Sequence, residues 1–345
     1  MKEFKGYLKG VNFGGWLSQC DHSKERYENF IIKEDFKNAK SWGLDHVRIP
    51  VDYELVESRE GEKKPDNFIY LDNAVKWCRE YGLNMILDLH RTAGYSFHGG
   101  DGEKGFFEDE AYQERFYKLW EEFALRYGKN EDMLAFELLN EVTDKAYLDK
   151  WNEIAFKCIE RIRKIAPTIK ILVGGYWNNS VEAVKDILPP TDENIVYNFH
   201  CYEPFIFTHQ SAGWCEGMPR DFKTGFEHTY EEYDSLMKSV LKDNNEKFIK
   251  YSKGNIKEKL DYRFFENLFE EAIKVAEERD VALYCGEYGV IVNAEPEDIL
   301  LWYKEINKAF ENHKIGRASW TYKSMAFGLC DEHYKDIKDE VIKYL

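Results

Sequence analysis

The stretch that decides the fold is Phe136-Glu137-Leu138-Leu139-Asn140-Glu141, which passes from an apolar run to an amide and a carboxylate without a turn residue. The run from Met133 to Leu139 is short, mostly apolar and preceded by charge, which predicts a buried strand. A second apolar run, from Val281 to Gly286, is followed in the same way by Glu287. In barrels of parallel strands, the catalytic residues lie at the carboxyl ends of the strands. The two runs therefore predict two carboxylates at the same end of one barrel.

Outward from these two runs, apolar strand patterns alternate with amphipathic helical patterns along the whole chain. Strands are predicted, in chain order, at 7–13, 46–50, 84–89, 133–139, 169–173, 195–199, 281–287 and 316–320. Helical patterns follow them, and several end at a glycine such as Gly43, Gly82 or Gly128. Eight strands that alternate with helices in 345 residues predict an α/β fold, a (β/α)8 TIM barrel formed by residues 1–345.

One βα unit is much longer than the others. Between His200 and Val281, only 263–278 is needed for the helix that returns the chain to the barrel. Residues 203–262 are therefore predicted to form an inserted subdomain over the catalytic face. It carries aromatic and histidine side chains at Phe205, Phe207, His209, Trp214 and Phe226. The lysine-rich stretch 247–259 is predicted to be solvated surface.

Composition narrows the classes of partner. The net charge is −16, which argues against a nucleic acid or an anionic membrane surface as partner. Aromatic residues make up 16% of the chain; some of them must belong to the core, and sugar rings also stack on such side chains. We expect the protein to be a monomer.

Cysteine content and hydropathy bear on the compartment. The seven cysteines have scattered spacing that predicts neither a disulfide framework nor a zinc site, so most are expected to be reduced and buried. No run approaches the roughly 18 apolar residues of a membrane span. The residues from Met1 to Lys5 lead almost directly into an apolar strand, without a signal-peptide core. The sequence as written is expected to be cytoplasmic, or secreted if a signal was removed.

Polar side chains are predicted at the carboxyl ends of most strands. They are Asn12, Arg48, His90, Asn140, Glu141, His200, Tyr202, Glu287 and Trp320. Each alone has a structural explanation, since a glutamate after a strand is more often a favourable charge at a helix start than a catalyst. Their common position on successive strands favours a functional site instead.

Two carboxylates without a set of metal ligands suit the cleavage of a glycosidic bond, and we expect no cofactor and no metal. One carboxyl group protonates the leaving oxygen while the other attacks the anomeric carbon. Arg48 and the Tyr202 hydroxyl can keep the attacking group ionised by donating hydrogen bonds to it. Asn140 can bind the sugar 2-hydroxyl, and Trp320 offers a flat surface for the sugar ring.

These residues resemble glycoside hydrolase family five, a clan A family of retaining enzymes that contains endoglucanases and mannanases. The resemblance rests on Asn140-Glu141, Glu287-Tyr288-Gly289, Arg48-Ile49-Pro50, His200-x-Tyr202 and Trp320. It extends from Gly10 to about Phe327. The segments 10–16, 136–142 and 197–200 are most similar to the clostridial endoglucanase C type, which also has a subdomain inserted after strand six.

The resemblance implies that Glu141 is the acid/base and Glu287 the nucleophile. It implies a substrate-binding set of Arg48, His90, Asn140, His200, Tyr202 and Trp320. The predicted function is a retaining endo-β-1,4-glucanase that acts on cellulose-type or mixed-linkage β-glucans, so the resemblance implies a β-linked polysaccharide or oligosaccharide as partner. A β-mannanase or glucomannanase of the same family, a non-catalytic carbohydrate-binding barrel and a metal-dependent barrel hydrolase stay open as alternatives.

Three further stretches carry less information. His90-Arg91-Thr92-Ala93-Gly94 departs from the family, in which a second histidine and a proline are common at this place. Gly100-x-Gly102-x-x-Gly105 has the spelling of a dinucleotide-binding loop, but no strand precedes it directly and its acidic residues would repel a pyrophosphate, so a mobile loop is predicted. Asn178-Asn179-Ser180 spells a glycosylation site and is given no weight, whereas Trp177 is expected either to line a sugar subsite or to pack within its loop.

Overall fold

The computed structural model describes residues 1–98 and 102–345. In this part of the chain, eight parallel strands close into a barrel in which each strand pairs with the next and β8 pairs with β1. The strands are β1 (Lys9–Asn12), β2 (His46–Asp52), β3 (Asn84–Arg91), β4 (Leu134–Glu137), β5 (Lys170–Val173), β6 (Ile195–Cys201), β7 (Ala282–Tyr288) and β8 (Gly316–Ser319). The predicted (β/α)8 TIM barrel is confirmed.

Helices surround the barrel. They are α1 (Lys24–Asn29), α2 (Lys33–Ser41), α3 (Phe68–Tyr81), α4 (Glu110–Tyr127), α5 (Leu148–Arg163), α6 (Tyr176–Asn179), α7 (Phe205–Thr208), α8 (Tyr230–Leu236), α9 (Lys247–Tyr251), α10 (Tyr262–Glu278), α11 (Pro296–His313) and α12 (Lys338–Tyr344). The buried positions of α5 are 151, 154, 155, 158, 159 and 162, the spacing of one helix face. This face packs in the large core between the strands and the helices.

The deciding stretch is shorter as a strand than predicted. β4 ends at Glu137 rather than at Leu139, because the regular pairing with β3 and β5 stops there. The backbone beyond it keeps single hydrogen bonds on both sides, from Leu138 to Leu172 at 3.2 Å and from Asn140 to Leu89 at 3.0 Å. These bonds hold the segment that leads to Glu141 against the barrel rim.

The inward-facing positions of the strands change from apolar to polar along the barrel axis. In β3, Ile86 lies in a small inner apolar cluster, Asp88 is buried two residues later, and His90 reaches the cavity at the carboxyl end. The same order recurs in β6 through Val196, Asn198 and His200. Since alternate residues of a strand face the same side, this spacing of two builds the site in layers above the inner cluster.

The long interval after β6 contains α7, α8, α9 and a π-helix at Met237–Leu241. Phe207 and Phe226 are fully buried in it, with ring centroids 5.5 Å apart. Phe205, His209 and Trp214 instead line the cavity at the carboxyl end of the barrel. The aromatic residues of this interval therefore divide between a local core and the cavity wall.

The prediction that 247–259 is solvated surface is wrong for part of the stretch, because Phe248, Tyr251 and Ser252 are buried. Lys247 forms an ion pair with Glu203 and lines the cavity. Lys253 and Lys259 are exposed as predicted, each paired with a surface carboxylate. The pattern of charges along the chain does not reveal Lys247, because its partner lies 44 residues away.

No helix in the described ranges is long and apolar enough to cross a membrane. The seven cysteines are free thiols, and four of them are buried as expected: Cys78, Cys158, Cys201 and Cys285. Burial raises the pKa of these four thiols, so they remain protonated.

Candidate active site

A cavity of about 1630 Å³ opens at the carboxyl ends of the strands. Six of the predicted site residues line it together, namely His90, Glu141, His200, Tyr202, Glu287 and Trp320. The other two, Arg48 and Asn140, are buried and hydrogen-bonded to each other at 2.8 Å, and Arg48 also bonds to Glu287. The structure thus brings all eight predicted side chains into one connected site.

Glu287, at the end of β7, accepts two hydrogen bonds, one on each carboxylate oxygen. Arg48 donates from Nη1 to Oε1 at 2.9 Å, and the Tyr202 hydroxyl donates to Oε2 at 2.9 Å. The Glu287 side chain is 8% exposed. Both oxygens of the Glu287 carboxylate are therefore held in place by protein donors, one of them charged.

Arg48 is fully buried beneath this carboxylate and is held by more than one acid. Its Nε and Nη2 donate to the two oxygens of Glu137 at 2.7 and 2.8 Å, and Nη2 lies 3.0 Å from Asp88. Asn12 accepts a further bond from Nη1 at 2.8 Å. Although burial opposes the charge, the neighbouring acids raise the pKa of Arg48 well above its usual range. The guanidinium is therefore a fixed positive charge below Glu287.

Glu141 has a different environment. Its Oε1 lies 2.8 Å from Nδ1 of His200, and its Oε2 accepts a 2.8 Å hydrogen bond from Asn178. Burial raises the pKa of Glu141 to about 7, against the effect of the Asn178 bond. One ligand atom each of Glu141, His200 and Glu287 lies within 4.8 Å of the others. The two glutamates thus lie close together in different surroundings: burial favours the protonated form of Glu141, while Glu287 accepts hydrogen bonds from Arg48 and Tyr202.

The two site histidines are neutral. Burial lowers the pKa of His90 to about 3 and that of His200 to about 4. Nδ1 of His90 lies 2.6 Å from Asp88, and its ring is parallel to Trp320, with an interplanar angle of 1° and centroids 5.7 Å apart. The contact with Asp88 fixes the orientation of the His90 ring beside the indole.

Asn140 is buried and directly precedes Glu141, which lines the cavity. Its Oδ1 accepts from Arg48, whereas its buried Nδ2 has no hydrogen-bond partner within the described part of the chain. A buried amide donor without a partner is costly, so a ligand oxygen at this place would be bound favourably.

Comparison with known proteins agrees with this geometry. The protein-family model described as "Cellulase (glycosyl hydrolase family 5)" matches residues 8–326 of the chain. The chain belongs to glycosyl hydrolase family 5. It is 46% identical over 317 residues to Cellodextrinase A of Ruminococcus flavefaciens, covering 92% of this chain and 86% of that protein. It is 36% identical over 344 residues to Endoglucanase C of Acetivibrio thermocellus, covering 98% of each.

Solved structures show the same fold. The crystal structure of endoglucanase Cel5A from the hyperthermophilic Thermotoga maritima superposes with a TM-score of 0.76 and 23% identity, covering 99% of this chain and 97% of that one. The family and the fold predicted from the sequence are confirmed, and the protein is a glycoside hydrolase of the cellulase type.

Four side chains of this family 5 site were missed by sequence reasoning: the buried Asp88, Glu137 and Asn198 and the exposed Asn178. Asp88 and Glu137 pair with Arg48, Asn198 donates to Glu137 at 2.8 Å, and Asn178 donates to Glu141. A carboxylate inside an apolar strand is a signal that could have identified the first two, since a buried charge needs a partner. Asn178 shows no such signal, because it lies in the polar triplet Asn178-Asn179-Ser180, which also matches the N-glycosylation motif.

The structure also shows the contacts of Arg91, of Trp177 and of part of the glycine-rich loop. Arg91, where family members often have histidine, donates to Glu54 at 2.9 Å. Trp177 is 52% exposed and lines the cavity, which favours the subsite alternative. Of the glycine-rich loop, Gly100 and Asp101 lie outside the described residues, while Glu103 accepts hydrogen bonds from the Tyr53 hydroxyl at 2.6 Å and from the Gly94 amide at 2.8 Å.

Proposed function

We propose that this family 5 enzyme is a retaining endo-β-1,4-glucanase that hydrolyses cellulose-type or mixed-linkage β-glucans by double displacement. The observation that supports it most strongly is the contrast between the two carboxyl groups. Glu287 accepts bonds from Arg48 and Tyr202, whereas burial raises the pKa of Glu141 to about 7. A nucleophile must be ionised and a general acid protonated at the same pH.

In the first step, a Glu287 oxygen attacks the anomeric carbon of the bound sugar. The glycosidic C–O bond breaks, and its electron pair goes to the leaving oxygen, which takes the proton of Glu141. The products are a covalent glycosyl-enzyme and a shortened glucan. Arg48 continues to donate to the carboxyl group of Glu287, and His200 and Asn178 hold that of Glu141.

In the second step, water attacks the same anomeric carbon. Glu141, now a carboxylate, takes a proton from the water, and the bond between the sugar and Glu287 breaks with its electrons returning to the carboxylate. Two inversions give net retention of configuration. Both groups return to their starting protonation states, so one pair of side chains serves every turnover.

The substrate is oriented by the remaining residues of the site. The free Nδ2 donor of Asn140 is suited to the sugar 2-hydroxyl, a contact that strengthens in the transition state. Trp320, held parallel to His90, offers a flat apolar surface for the ring at the cleavage point. Because the whole set of side chains comes from one chain, we propose that the enzyme acts as a monomer.

The relatives bear on the substrate. The names Cellodextrinase A and Endoglucanase C point to β-1,4-glucan chains, the first short and the second long. A reducing-sugar assay on carboxymethyl cellulose, barley β-glucan, lichenan, glucomannan and mannan tests the proposal. We expect release from the β-glucans. Release from mannans alone would make the enzyme a β-mannanase, and β-glucan binding without hydrolysis between pH 4 and 9 would make it a binding barrel.

The two catalytic roles are separated by chemical rescue with azide. Glu287→Gly removes the nucleophile, so azide should displace an activated aryl group directly and give an α-glycosyl azide. Glu141→Ala retains the nucleophile, so azide should intercept the glycosyl-enzyme and give a β-glycosyl azide. Swapped anomers would exchange the roles. If neither folded variant responded to azide, double displacement would be refuted.

A further inference from the structure

A second cluster of ligand-type side chains lies beside the catalytic cavity. His22 lies in the loop between β1 and α1, Asp52 is the last residue of β2, and Glu54 belongs to the 3-10 helix Tyr53–Leu55. One imidazole nitrogen and one oxygen of each carboxylate lie within 4.8 Å of one another. Among the described residues this is the one such group apart from Glu141, His200 and Glu287.

The atoms of this cluster are buried and incompletely bonded. Asp52 is fully buried, and its Oδ2 accepts from the Gln19 amide at 2.8 Å while its Oδ1 has no partner in the described ranges. Glu54 accepts from Arg91 on Oε1, and its buried Oε2 is likewise without a hydrogen bond there. His22 Nε2 makes no hydrogen bond either and lies 3.4 Å from Asp52. The three side chains thus lie together, and each has one buried nitrogen or oxygen atom without a hydrogen bond in the described ranges.

The other atoms of the three side chains are held in place. Nδ1 of His22 lies 2.9 Å from the Tyr27 hydroxyl, which fixes the ring so that Nε2 is the nitrogen available to a ligand. One imidazole and two carboxylates form a donor set that Zn²⁺ and Mn²⁺ accept. An unpaired buried carboxylate oxygen is costly, and a bound cation would remove that cost.

We propose that His22, Asp52 and Glu54 bind one divalent transition-metal cation, Zn²⁺ or Mn²⁺. The site is distinct from the proposed catalytic pair, and its role is structural. It ties the loop after β1, which carries Gln19 into the cavity lining, to the end of β2. A bound cation therefore stabilises one wall of the substrate cleft.

The competing occupant is a proton. Burial opposes the charged form of His22, but contact with Asp52 outweighs it and raises the pKa of His22 to about 10. An imidazolium paired with Asp52 would also neutralise the cluster without any metal. The experiment must therefore measure the metal itself and not only stability.

The 345-residue protein is freed of metal with a chelator, incubated with Zn²⁺ and dialysed, and its metal content is measured by mass spectrometry. We expect about one Zn²⁺ per chain and a rise in Tm of several degrees at a concentration a hundredfold above Kd. Mn²⁺ should displace Zn²⁺ at high concentration and give the electron paramagnetic resonance spectrum of a bound ion.

Two variants test the site, and two further variants serve as controls. Glu54→Gln and His22→Gln should each lose the bound Zn²⁺ and the rise in Tm. Glu57→Gln is the matched control, because Glu57 is a nearby buried carboxylate already paired with Arg115 at 2.9 Å and Lys63 at 3.2 Å. This variant should keep both the bound Zn²⁺ and the rise in Tm. Glu141→Gln should also keep the ion, which excludes binding at the catalytic pair.

The proposal would be overturned if the parent protein took up no Zn²⁺ or Mn²⁺, which would assign the position to the proton on His22. Equal uptake by the parent, Glu54→Gln and His22→Gln, with circular dichroism showing all three folded, would also refute it. Loss of uptake only in Glu141→Gln would place the ion in the active site instead. None of these results depends on hydrolytic activity.

Discussion

Asn178 donates a 2.8 Å hydrogen bond from its side-chain amide to Oε2 of Glu141. The asparagine has a left-handed backbone with φ of 56°, a conformation that asparagine tolerates better than most residues. The backbone N–H of Asn178 donates to the backbone carbonyl of Val142 at 3.0 Å, which connects the turn after β5 to the segment after β4. This bond lowers the pKa of Glu141, which burial has raised to about 7. The turn therefore lowers the pKa of the proposed proton donor, against the larger effect of burial.

Replacement of Asn178 by alanine should raise the pKa of Glu141, because a donor to the charged form is lost. A hydrogen bond worth about 0.5–1.5 kcal/mol corresponds to a pKa change of roughly 0.4 to 1.1. The basic limb of kcat/KM should move to higher pH by that amount. Asn178→Asp should move it further, since it adds a negative charge. An unchanged basic limb in both variants would show that Asn178 does not affect the acid.

The parent enzyme should show a bell-shaped pH dependence of kcat/KM. Glu141 must be protonated to act as the acid, so activity should fall as the pH rises through its pKa of about 7. A nucleophile must be ionised in order to attack, so activity should also fall at low pH. The measurement is kcat/KM on a soluble cello-oligosaccharide across the pH range. Constant activity from pH 6 to pH 10 would contradict the assignment of Glu141.

Glu141→Gln should separate substrates by their leaving groups. Loss of general acid catalysis should reduce activity on β-glucan by about 100- to 10,000-fold. Activity on an aryl glycoside with a good leaving group should fall much less, because that group departs without a proton. Steady-state rates on the two substrates give the comparison. Equal losses on both would argue against an acid role for Glu141.

Arg48→Met should destabilise the fold. The substitution leaves Glu137 fully buried without its bidentate partner, at a cost of about 3–5 kcal/mol in the free energy of unfolding. Arg161→Met is the control, because Arg161 pairs with two acids, at 2.7 Å each, but at the partly exposed surface. It should cost about 1 kcal/mol or less. Urea denaturation of both variants would reveal whether burial makes the difference.

Residues 203–262 are proposed to form a subdomain that extends the substrate cleft. Trp214 tests this, because it is 61% exposed and lines the cavity. Trp214→Ala should raise KM for long cello-oligosaccharides roughly fivefold, the effect of losing about 1 kcal/mol of ring contact. KM for an aryl cellobioside and the Tm should stay the same. Unchanged KM values for long chains would show that this part of the segment does not bind substrate.

The eight strands were predictable because alternating apolar strands and amphipathic helices leave few other ways to bury both patterns. The ends of β4 and β7 were each predicted within two residues. The boundary of β4 was missed because a strand ends where its pairing with neighbours ends, and that pairing is a property of β3 and β5 as well. The surface assignment of Lys247 failed for the same reason, since its partner Glu203 is remote in the chain.

The sequence by itself determined that Glu141 and Glu287 meet, because parallel strands that close into a barrel bring their carboxyl ends to one rim. It also determined the family. Only the tertiary structure decided the bonds that make the two glutamates different, which come from Asn178 on one side and from Arg48 on the other. These bonds depend on loop backbone angles and on burial, and such quantities exist only once the chain has folded around the site.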